Sequence, residues 1–283
     1  MVMKKFDVTV GVLTRNSEKT VKNCLMSIIN SSFPKDRMQI IVVDNVSNDK
    51  TLEIVKEVLK ASGIAHKILI NERPGYIGRS RQMVVDNSDA EYVLWVDSDA
   101  IIYSNYIENQ LHYIKQSDAA IVFPYAILAI NTYSTLARMQ GYAWSIASMN
   151  AIKTGKTPFL GALGSIMKIN IIKECGGFSC KRLGAGEDLE LILKVKSKGC
   201  KIAVNPYVKI YHYMKENWCD IITNLRFWKS MDRVASQKLK VASSFKRILT
   251  YTYLSIIAFS KFKDIACLII PIYAILWSII DLT

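Results

Sequence analysis

The six cysteines of this chain form no paired motif. No two are separated by two residues, and no cysteine–histidine ligand pattern is present. Isolated cysteines with apolar neighbours are usually small buried side chains in a reducing compartment. The sequence therefore argues against a disulfide framework and a structural zinc site. With 283 residues and 51% hydrophobic content, the chain is long and apolar enough to bury a large core without either.

The amino terminus lacks the features of a secretory signal peptide. Its first residues lead directly into the apolar run Phe6–Leu13, which contains Asp7 and no small-residue cleavage site. Such a run is typical of a first strand rather than of a leader. We therefore expect the main part of the chain to stay on the cytoplasmic side of a cell membrane.

Acidic residues are scarce toward the carboxyl terminus. Between Lys194 and Lys263 there are 15 lysines and arginines against three acidic residues, which accounts for nearly all of the net charge of +13. A basic surface near one end of a chain favours a polyanionic neighbour, either nucleic acid or an anionic membrane.

The first half of the chain alternates strand-like and helix-like runs, which predicts βαβ units and an α/β fold with a mostly parallel sheet flanked by helices. The predicted strands are Phe6–Leu13, Gln39–Val43, His66–Ile70 and Tyr92–Val96, and the helices are Ser17–Asn30, Asp49–Ala61 and one from Ile77. The second half predicts helices over 134–152 and 189–198 and closing strands at Cys200–Val204 and Tyr207–Tyr211. In such sheets, ligands bind beyond the carboxyl ends of the strands.

A different pattern begins after His212. Residues 213–247 predict a basic amphipathic helical segment, which fits either an interfacial helix or a helix packed on the preceding domain. Residues 248–283 hold two uncharged runs, Leu249–Ser260 and Ile265–Ile280, each shorter than the roughly 20 residues of a transmembrane helix. They fit a re-entrant hairpin, one broken span, two short tilted helices or a buried helical pair. We expect a membrane-associated helical region with its basic flank on the cytoplasmic face.

Two carboxylates follow the fourth predicted strand. Asp97-Ser98-Asp99 comes directly after the buried-strand sequence Tyr92–Val96. Carboxylates at alternate positions can converge on one hard cation, and Mg²⁺ or Mn²⁺ prefers carboxylate, phosphate and water oxygens. Such a cation neutralises a diphosphate leaving group. Because Asp and Ser are also turn residues, the tripeptide alone fits a polar turn as well.

Five segments, in order along residues 6 to about 212, resemble the motifs of family 2 glycosyltransferases. They are Val10–Asn16 (the opening strand and its polar end), Val42–Thr51 (VVDDGSxDxT), Gly78–Gln82 (GxARN), Tyr92–Asp99 (a strand ending in DxD) and Gly186–Leu191 (GEDxEL). Asn45 and Val46 replace the second Asp and the Gly of the family pattern. Each motif is weak alone, and the ordered set is specific.

The resemblance implies a GT-A fold over residues 1–212 and inverting transfer of a sugar from a nucleoside-diphosphate sugar to a hydroxyl or phosphate acceptor. It implies that Asp188 is the general base. The donor nucleotide would lie by Thr14, Asp44, Arg81, Asp97 and Asp99, and Mg²⁺ or Mn²⁺ by Asp99, Asp97 and His212. Acids before a helix are also favoured by the helix dipole alone, and that alternative predicts solvent-facing carboxylates at Glu187 and Asp188.

Two other functions fit parts of the sequence. A nucleotidyltransferase that makes nucleotide-sugars would need a glycine-rich, basic signature near the amino terminus, and Gly11–Asn16 is not one. A nucleic-acid-binding module would explain the basic segment with Trp218 and Trp228, but not the uncharged runs that follow. We therefore expect a membrane-associated glycosyltransferase with a lipid-linked or membrane-proximal glycan acceptor, an anionic membrane surface as partner and no nucleic-acid partner.

Overall fold

The computed structural model of the chain describes residues 5–154, 161–180, 184, 186–226, 255–256, 264–272 and 275. The predicted basic segment 213–247 is described only as far as residue 226. Most of the predicted apolar region 248–283 lies outside the described residues.

Eight strands and seven helices have bounds within the described residues, and residues 218–226 are helical as well. The strands are β1 (Phe6–Thr14), β2 (Met38–Asp44), β3 (Ala65–Ile70), β4 (Ala90–Trp95), β5 (Ala100–Ile101), β6 (Ile121–Ala129), β7 (Ile166–Lys168) and β8 (Ile202–His212). The helices are α1 (Val21–Ile29), α2 (Thr51–Ser62), α3 (Ile77–Asp86), α4 (Tyr106–Ser117), α5 (Thr135–Thr154), α6 (Ile169–Glu174) and α7 (Glu187–Ser197). Short 3-10 turns lie at Lys35–Arg37 and Ile265–Ile269.

All eight strands form one sheet in the order β3-β2-β1-β4-β7-β6-β8-β5. The first four are parallel, as the alternation of strands and helices predicts. Beyond β4 the sheet is mixed: β7 runs antiparallel to both β4 and β6, β8 runs parallel to β6, and β5 runs antiparallel to β8. The predicted α/β fold is confirmed, with a mixed sheet in place of a mostly parallel one.

The two predicted closing strands are one continuous strand, β8. Its register with β6 shifts between Pro124 and Ala126 on β6, and Pro206 lies opposite this irregularity on β8. Proline donates no backbone hydrogen bond, so it is tolerated in a sheet at such bulges. The proline therefore indicates the end of one strand and the start of another in the sequence, whereas in the structure a single strand continues through it.

Helices cover both faces of the sheet, because the strand side chains alternate between the two faces. On one face, Val8, Val10 and Val12 of β1 lie in a buried cluster with residues of α1, α2 and α4. On the other, Val93 and Trp95 of β4 lie in a second cluster with residues of α3, α6 and α7. This three-layer packing fixes the carboxyl ends of the parallel strands as a rigid edge.

A third, smaller apolar cluster joins α5 to the carboxyl-terminal part of the chain. Its buried members are Met139, Ala143, Ile146, Ile221, Leu225, Ala266, Cys267 and Ile270. Residues 218–226 are helical and place Ile221 and Leu225 in this cluster. Where it is described, the predicted amphipathic segment thus packs on α5 of the α/β domain. Within the described ranges, no helix combines the length and the apolar character that crossing a membrane requires.

Candidate active site

The polar residues predicted from the sequence lie at one edge of the sheet. Thr14 and Asp44 are the last residues of β1 and β2, which pair in parallel with Thr14 opposite Asp44. Asp97 follows the end of β4, which pairs in parallel with β1 on its other side. Three neighbouring strands therefore deliver their polar ends to the same edge, where parallel sheets bind ligands.

Asp97, Asp99 and His212 form a cluster whose potential ligand atoms all lie within 4.8 Å of one another. His212 comes from the far end of the sheet order. It reaches Asp99 because β5 pairs antiparallel with the end of β8, with Ala100 opposite His212. The His212 Nε2 atom lies 3.0 Å from Asp99 Oδ1, and the Tyr213 amide donates to the Asp99 carbonyl at 2.9 Å.

The electrostatics of this cluster suit a bound cation. Burial raises the pKa of Asp97, Arg81 opposes that rise, and the neighbouring Asp99 carboxylate adds to it. Burial alone would also raise the pKa of Asp99, but the charge and hydrogen bond of His212 outweigh it, so the pKa is lowered. Carboxylates are the ligands that Mg²⁺ or Mn²⁺ prefers, and imidazole is a ligand of divalent transition metals. The donor set therefore fits a divalent metal.

Arg81 connects α3 to the start of α7. Its Nε donates to Glu187 Oε1 at 2.8 Å, and both side chains are more than nine-tenths buried. The guanidinium also lies over the Trp95 ring, 4.9 Å from its centroid. The buried Arg81 Nη1 has no hydrogen-bond partner among the described residues. One end of this cation is thus fixed by protein, and the other has donor capacity left over.

Asp188 is buried at the first turn of α7, next to Glu187. Its Oδ2 accepts a hydrogen bond from the Ala162 amide at 3.1 Å, and its Oδ1 accepts one from the Leu189 amide at 2.7 Å. Burial and the Asp188 charge raise the pKa of Glu187, with Arg81 opposing them. Solvent-facing carboxylates, which the helix dipole alone would predict, are not what the fold presents. The two acids point into the protein and are held there.

Asp44 and Thr14 are joined by a short hydrogen-bond network. Asp44 Oδ1 accepts from the Thr14 hydroxyl at 2.8 Å and from the Ser47 hydroxyl at 2.6 Å, and Oδ2 accepts from the Ser47 amide at 2.9 Å. Asn45 donates through Nδ2 to the Thr14 carbonyl, and its Oδ1 accepts from Ser80 at 2.6 Å. An amide can donate and accept at once, which explains how Asn45 fits where the family pattern has Asp.

Several residues of this edge have no motif that would reveal them. The Ser17 and Ser98 hydroxyls meet at 2.8 Å and tie the loop after β1 to the centre of Asp97-Ser98-Asp99. The Cys24 thiol donates to the Asp97 carbonyl at 3.3 Å. The Ala162 amide reaches Asp188 because Gly161 adopts a φ of +71°. The sequence signal near Ala162 is the pair of glycines at 161 and 164, which permits a close approach of a ligand but fits a bulged strand equally well.

The sequence model of the family described as Glycosyl transferase family 2 matches residues 9–176, more than half of the chain. The chain belongs to glycosyltransferase family 2. This confirms the predicted family and, with it, an enzyme of the glycosyltransferase class, and it favours that function over a nucleotidyltransferase. The matched part contains Asp44, Arg81, Asp97 and Asp99 of the predicted site, while Asp188 and His212 lie beyond it.

Curated relatives within family 2 align with parts of the chain. Poly(ribitol-phosphate) beta-N-acetylglucosaminyltransferase TarS of Staphylococcus aureus is 31% identical over 120 residues, 42% of this chain and 20% of that protein. Poly(ribitol-phosphate) beta-glucosyltransferase of Bacillus spizizenii is 23% identical over 74% of this chain and 32% of its own length. The chain thus spans a third or less of these relatives.

Solved structures share the fold at low sequence identity. The mannosyltransferase PcManGT from Pyrobaculum calidifontis, in complex with GDP-Man and Mn²⁺, superimposes with a TM-score of 0.66 at 16% identity over 97% of this chain and 86% of its own. Residues 1–349 of S. aureus TarS, in complex with UDP-GlcNAc, give a TM-score of 0.59 at 19% identity over 91% of this chain and 73% of that one. These likenesses confirm the GT-A type of fold for this family 2 chain.

Proposed function

We propose that the chain transfers a sugar, with inversion, from a nucleoside-diphosphate sugar to a hydroxyl or phosphate acceptor. The observation that carries this proposal is the convergence of Asp97, Asp99 and His212 within 4.8 Å at the ligand-binding edge of a family 2 fold. The solved neighbours with UDP-GlcNAc and with GDP-Man support a nucleotide-sugar as the donor.

In the proposed reaction the acceptor oxygen bonds to the anomeric carbon as the bond from that carbon to the diphosphate breaks. The electron pair leaves with the nucleoside diphosphate, and Asp188 takes the proton of the acceptor hydroxyl. The hydrogen bonds from the Ala162 and Leu189 amides hold the Asp188 carboxylate in place. A general base must be held within hydrogen-bond reach of the proton it removes.

The donor-side residues have separate tasks in this proposal. Asp44 and Thr14 hold the nucleoside, and the free Nη1 of Arg81 faces a phosphate, because a buried guanidinium with spare donors suits an oxyanion. Asp99, Asp97 and His212 would hold Mg²⁺ or Mn²⁺. When bound, that metal would stabilise negative charge on the departing diphosphate. The Mn²⁺ in the Pyrobaculum mannosyltransferase structure supports this choice.

We also propose a lipid-linked or membrane-proximal glycan as acceptor, with the catalytic domain on the cytoplasmic side of the cell membrane. The basic segment 213–247 and the apolar region 248–283 support this through their composition. The names of two relatives are compatible with it. One transfers sugar to poly(ribitol-phosphate), and a Methanococcus voltae protein, 21% identical over 74% of this chain, acts on a dolichyl N-acetylglucosaminyl phosphate.

Replacement of the proposed base tests the mechanism. We expect Asp188→Asn to lower the transfer rate by about 10²- to 10⁴-fold, because general-base catalysis contributes that much. Glu190→Gln is the matched control: it removes an acid from the same first turn of α7, where Glu190 pairs with Lys194 instead of entering the site. The assay measures the release of nucleoside diphosphate from each member of a panel of nucleotide-sugars in the presence of Mn²⁺. Undiminished transfer by Asp188→Asn would show that another group is the base.

A further inference from the structure

Four aliphatic side chains form an exposed stripe on the carboxyl-terminal part of the chain. Ile265, Leu268, Ile272 and Ile275 are 65%, 48%, 48% and 40% exposed. Ile265 and Leu268 lie one turn apart in the 3-10 turn, and the steps to Ile272 and Ile275 are those of a helix face. We call these four residues the aliphatic face. Single exposed apolar residues are ordinary, whereas a contiguous row of them marks an interaction surface.

The opposite side of the same segment is anchored to the catalytic domain. Ala266, Cys267 and Ile270 are fully buried in the third apolar cluster, against Met139 and Ala143 of α5. The segment therefore has two apolar sides: one row of residues is buried against the protein, and the other row is exposed. Packing on α5 fixes which way the aliphatic face points.

Asp264 holds the start of this segment. Its Oδ2 accepts from Arg138 Nε at 2.7 Å and from the Tyr142 hydroxyl at 3.0 Å, and its Oδ1 accepts from the Ala266 amide at 2.9 Å. Asp264 thus fixes the segment to α5 immediately before Ile265, the first residue of the aliphatic face.

We propose that the aliphatic face inserts into the apolar layer of an anionic lipid bilayer. The distribution of charge in the sequence favours a bilayer as the partner. Lys261 and Lys263 directly precede the face, and the stretch from Lys194 to Lys263 holds 15 basic and three acidic residues. From Ile265 to Ile280 there is no charged residue. An uncharged apolar face with a basic flank is suited to anionic headgroups over hydrocarbon. The inference rests on the proposed membrane-proximal acceptor and specifies the surface that meets the membrane.

A chain of contacts leads from this face to the metal cluster. Beside Arg138 on α5, Gln140 donates to the Lys215 carbonyl at 2.7 Å, and Asn131 bonds both the amide and the carbonyl of Met214. Met214 follows His212 by two residues. The aliphatic face is therefore linked, through α5 and the residues that follow His212, to the cluster of Asp97, Asp99 and His212.

The test compares two double variants of the full-length chain in vesicle flotation. We expect the unmodified chain to float with phosphatidylglycerol-containing vesicles and far less with pure phosphatidylcholine. Ile265→Gln/Leu268→Gln should weaken that binding by about tenfold or more, because it removes apolar area from the inserting face. Ile70→Gln/Tyr207→Gln is the matched control, since it replaces two exposed apolar residues of similar exposure elsewhere on the domain.

Two outcomes would overturn the inference. The first is that Ile265→Gln/Leu268→Gln floats as well as the unmodified chain. The second is that neither protein binds vesicles and that the unmodified chain is a dimer whereas the variant is not. That second result would make the aliphatic face a contact between two copies of the chain. Release of nucleoside diphosphate in detergent is measured on the same proteins. If the unmodified chain released no nucleoside diphosphate, the proposed reaction would be wrong. The membrane inference is tested by flotation alone.

Discussion

Arg81 is the cation on which the two acidic parts of the site converge. Its Nε is committed to Glu187, its plane covers Trp95, and its charge opposes the rise in the pKa of Asp97. A buried guanidinium is stable only when its charge is balanced nearby. The pair with Glu187 provides that balance and also joins α3 to the turn that carries Asp188, so the same contact stabilises the fold and positions the proposed base.

Removing one member of this pair should destabilise the protein strongly. We expect Glu187→Ala to lower the free energy of unfolding by about 3 kcal/mol, since it leaves Arg81 buried without its partner. Lys194→Ala, which breaks the half-exposed Lys194–Glu190 pair on the same helix, should cost about 0.5 kcal/mol or less. Urea unfolding of both variants measures the difference. Equal losses would mean that the buried pair adds no more stability than the partly exposed one.

Gly161, the residue before Ala162, is a second position at which a small change in a side chain should affect the site. Gly161 has a φ of +71°, and a Cβ there would lie 3.1 Å from Asp188 Oδ2. Gly63, at the end of α2, has a φ of +69° and open space around its missing Cβ. We expect both Gly→Ala variants to lose about 1 kcal/mol of stability through backbone strain. Only Gly161→Ala should also slow sugar transfer, because it displaces the proposed base.

The measurement for this glycine pair is thermal unfolding combined with the initial rate of nucleoside diphosphate release. A Gly161→Ala enzyme as active as Gly63→Ala would show that the Asp188 carboxylate tolerates displacement. A stability loss at Gly63 far below that at Gly161 would point to packing at position 161 in addition to strain.

At the scale of elements, the parallel half of the sheet was predictable and the mixed half was not. Each of β1 to β4 begins a strand–helix repeat with regular periodicity, so the residues at their ends could be placed on one edge. β6 contains Pro124 within an apolar run, and β8 continues through Pro206, so their sequences indicate breaks where the chain pairs. Long-range antiparallel pairings such as β4 with β7 leave no local signal.

The site divides in the same way. Asp44, Asp97 and Asp99 stand at the ends of recognisable strands, whereas Asp188 and His212 are predicted only through the family resemblance. The partners of these residues are distant in sequence: Arg81 lies 106 residues from Glu187, and Ala162 lies 26 from Asp188. Such contacts depend on how the layers pack, which periodicity does not encode.

The contact between Asp264 and α5 should be sensitive to acid. Burial alone would raise the pKa of Asp264, but the Ala266 amide, Arg138 and Tyr142 together lower it. A carboxylate with a lowered pKa contributes stability above its unfolded pKa of about 3.9 and loses it as the pH falls through the folded value. We therefore expect the melting temperature of Asp264→Asn to lie below that of the unmodified chain at pH 7 and to approach it as the pH falls below about 3.9.

Asp118→Asn serves as the control for this pH series. The Asp118 side chain is 98% exposed, so its difference in melting temperature should stay small at every pH. A difference for Asp264→Asn that persists undiminished at acid pH would mean that its charge plays no part in holding the carboxyl-terminal segment.

At the scale of the whole molecule, a metal ion would join the middle of the sheet, where β4 ends, to β8 near its far side. Asp97 and Asp99 follow β4, and His212 ends β8. We expect Mn²⁺ at about 100 times its Kd to raise the melting temperature by roughly 5–10 °C, because binding only the folded state stabilises it. His212→Ala should abolish most of that shift, while His112→Ala, on the exposed side of α4, should retain it. Equal shifts in both variants would place the metal elsewhere.

The end of strand β8 connects the carboxyl-terminal part of the chain directly to the cluster of Asp97, Asp99 and His212. The chain leaves His212 and is at once fastened to the Asp99 carbonyl through the Tyr213 amide and to Asn131 through Met214. If the proposed membrane surface displaced the carboxyl-terminal segment, these bonds would give that displacement a path to the imidazole beside Asp99. We therefore expect removal of the residues after 212 to weaken the proposed metal site as well as the proposed membrane contact.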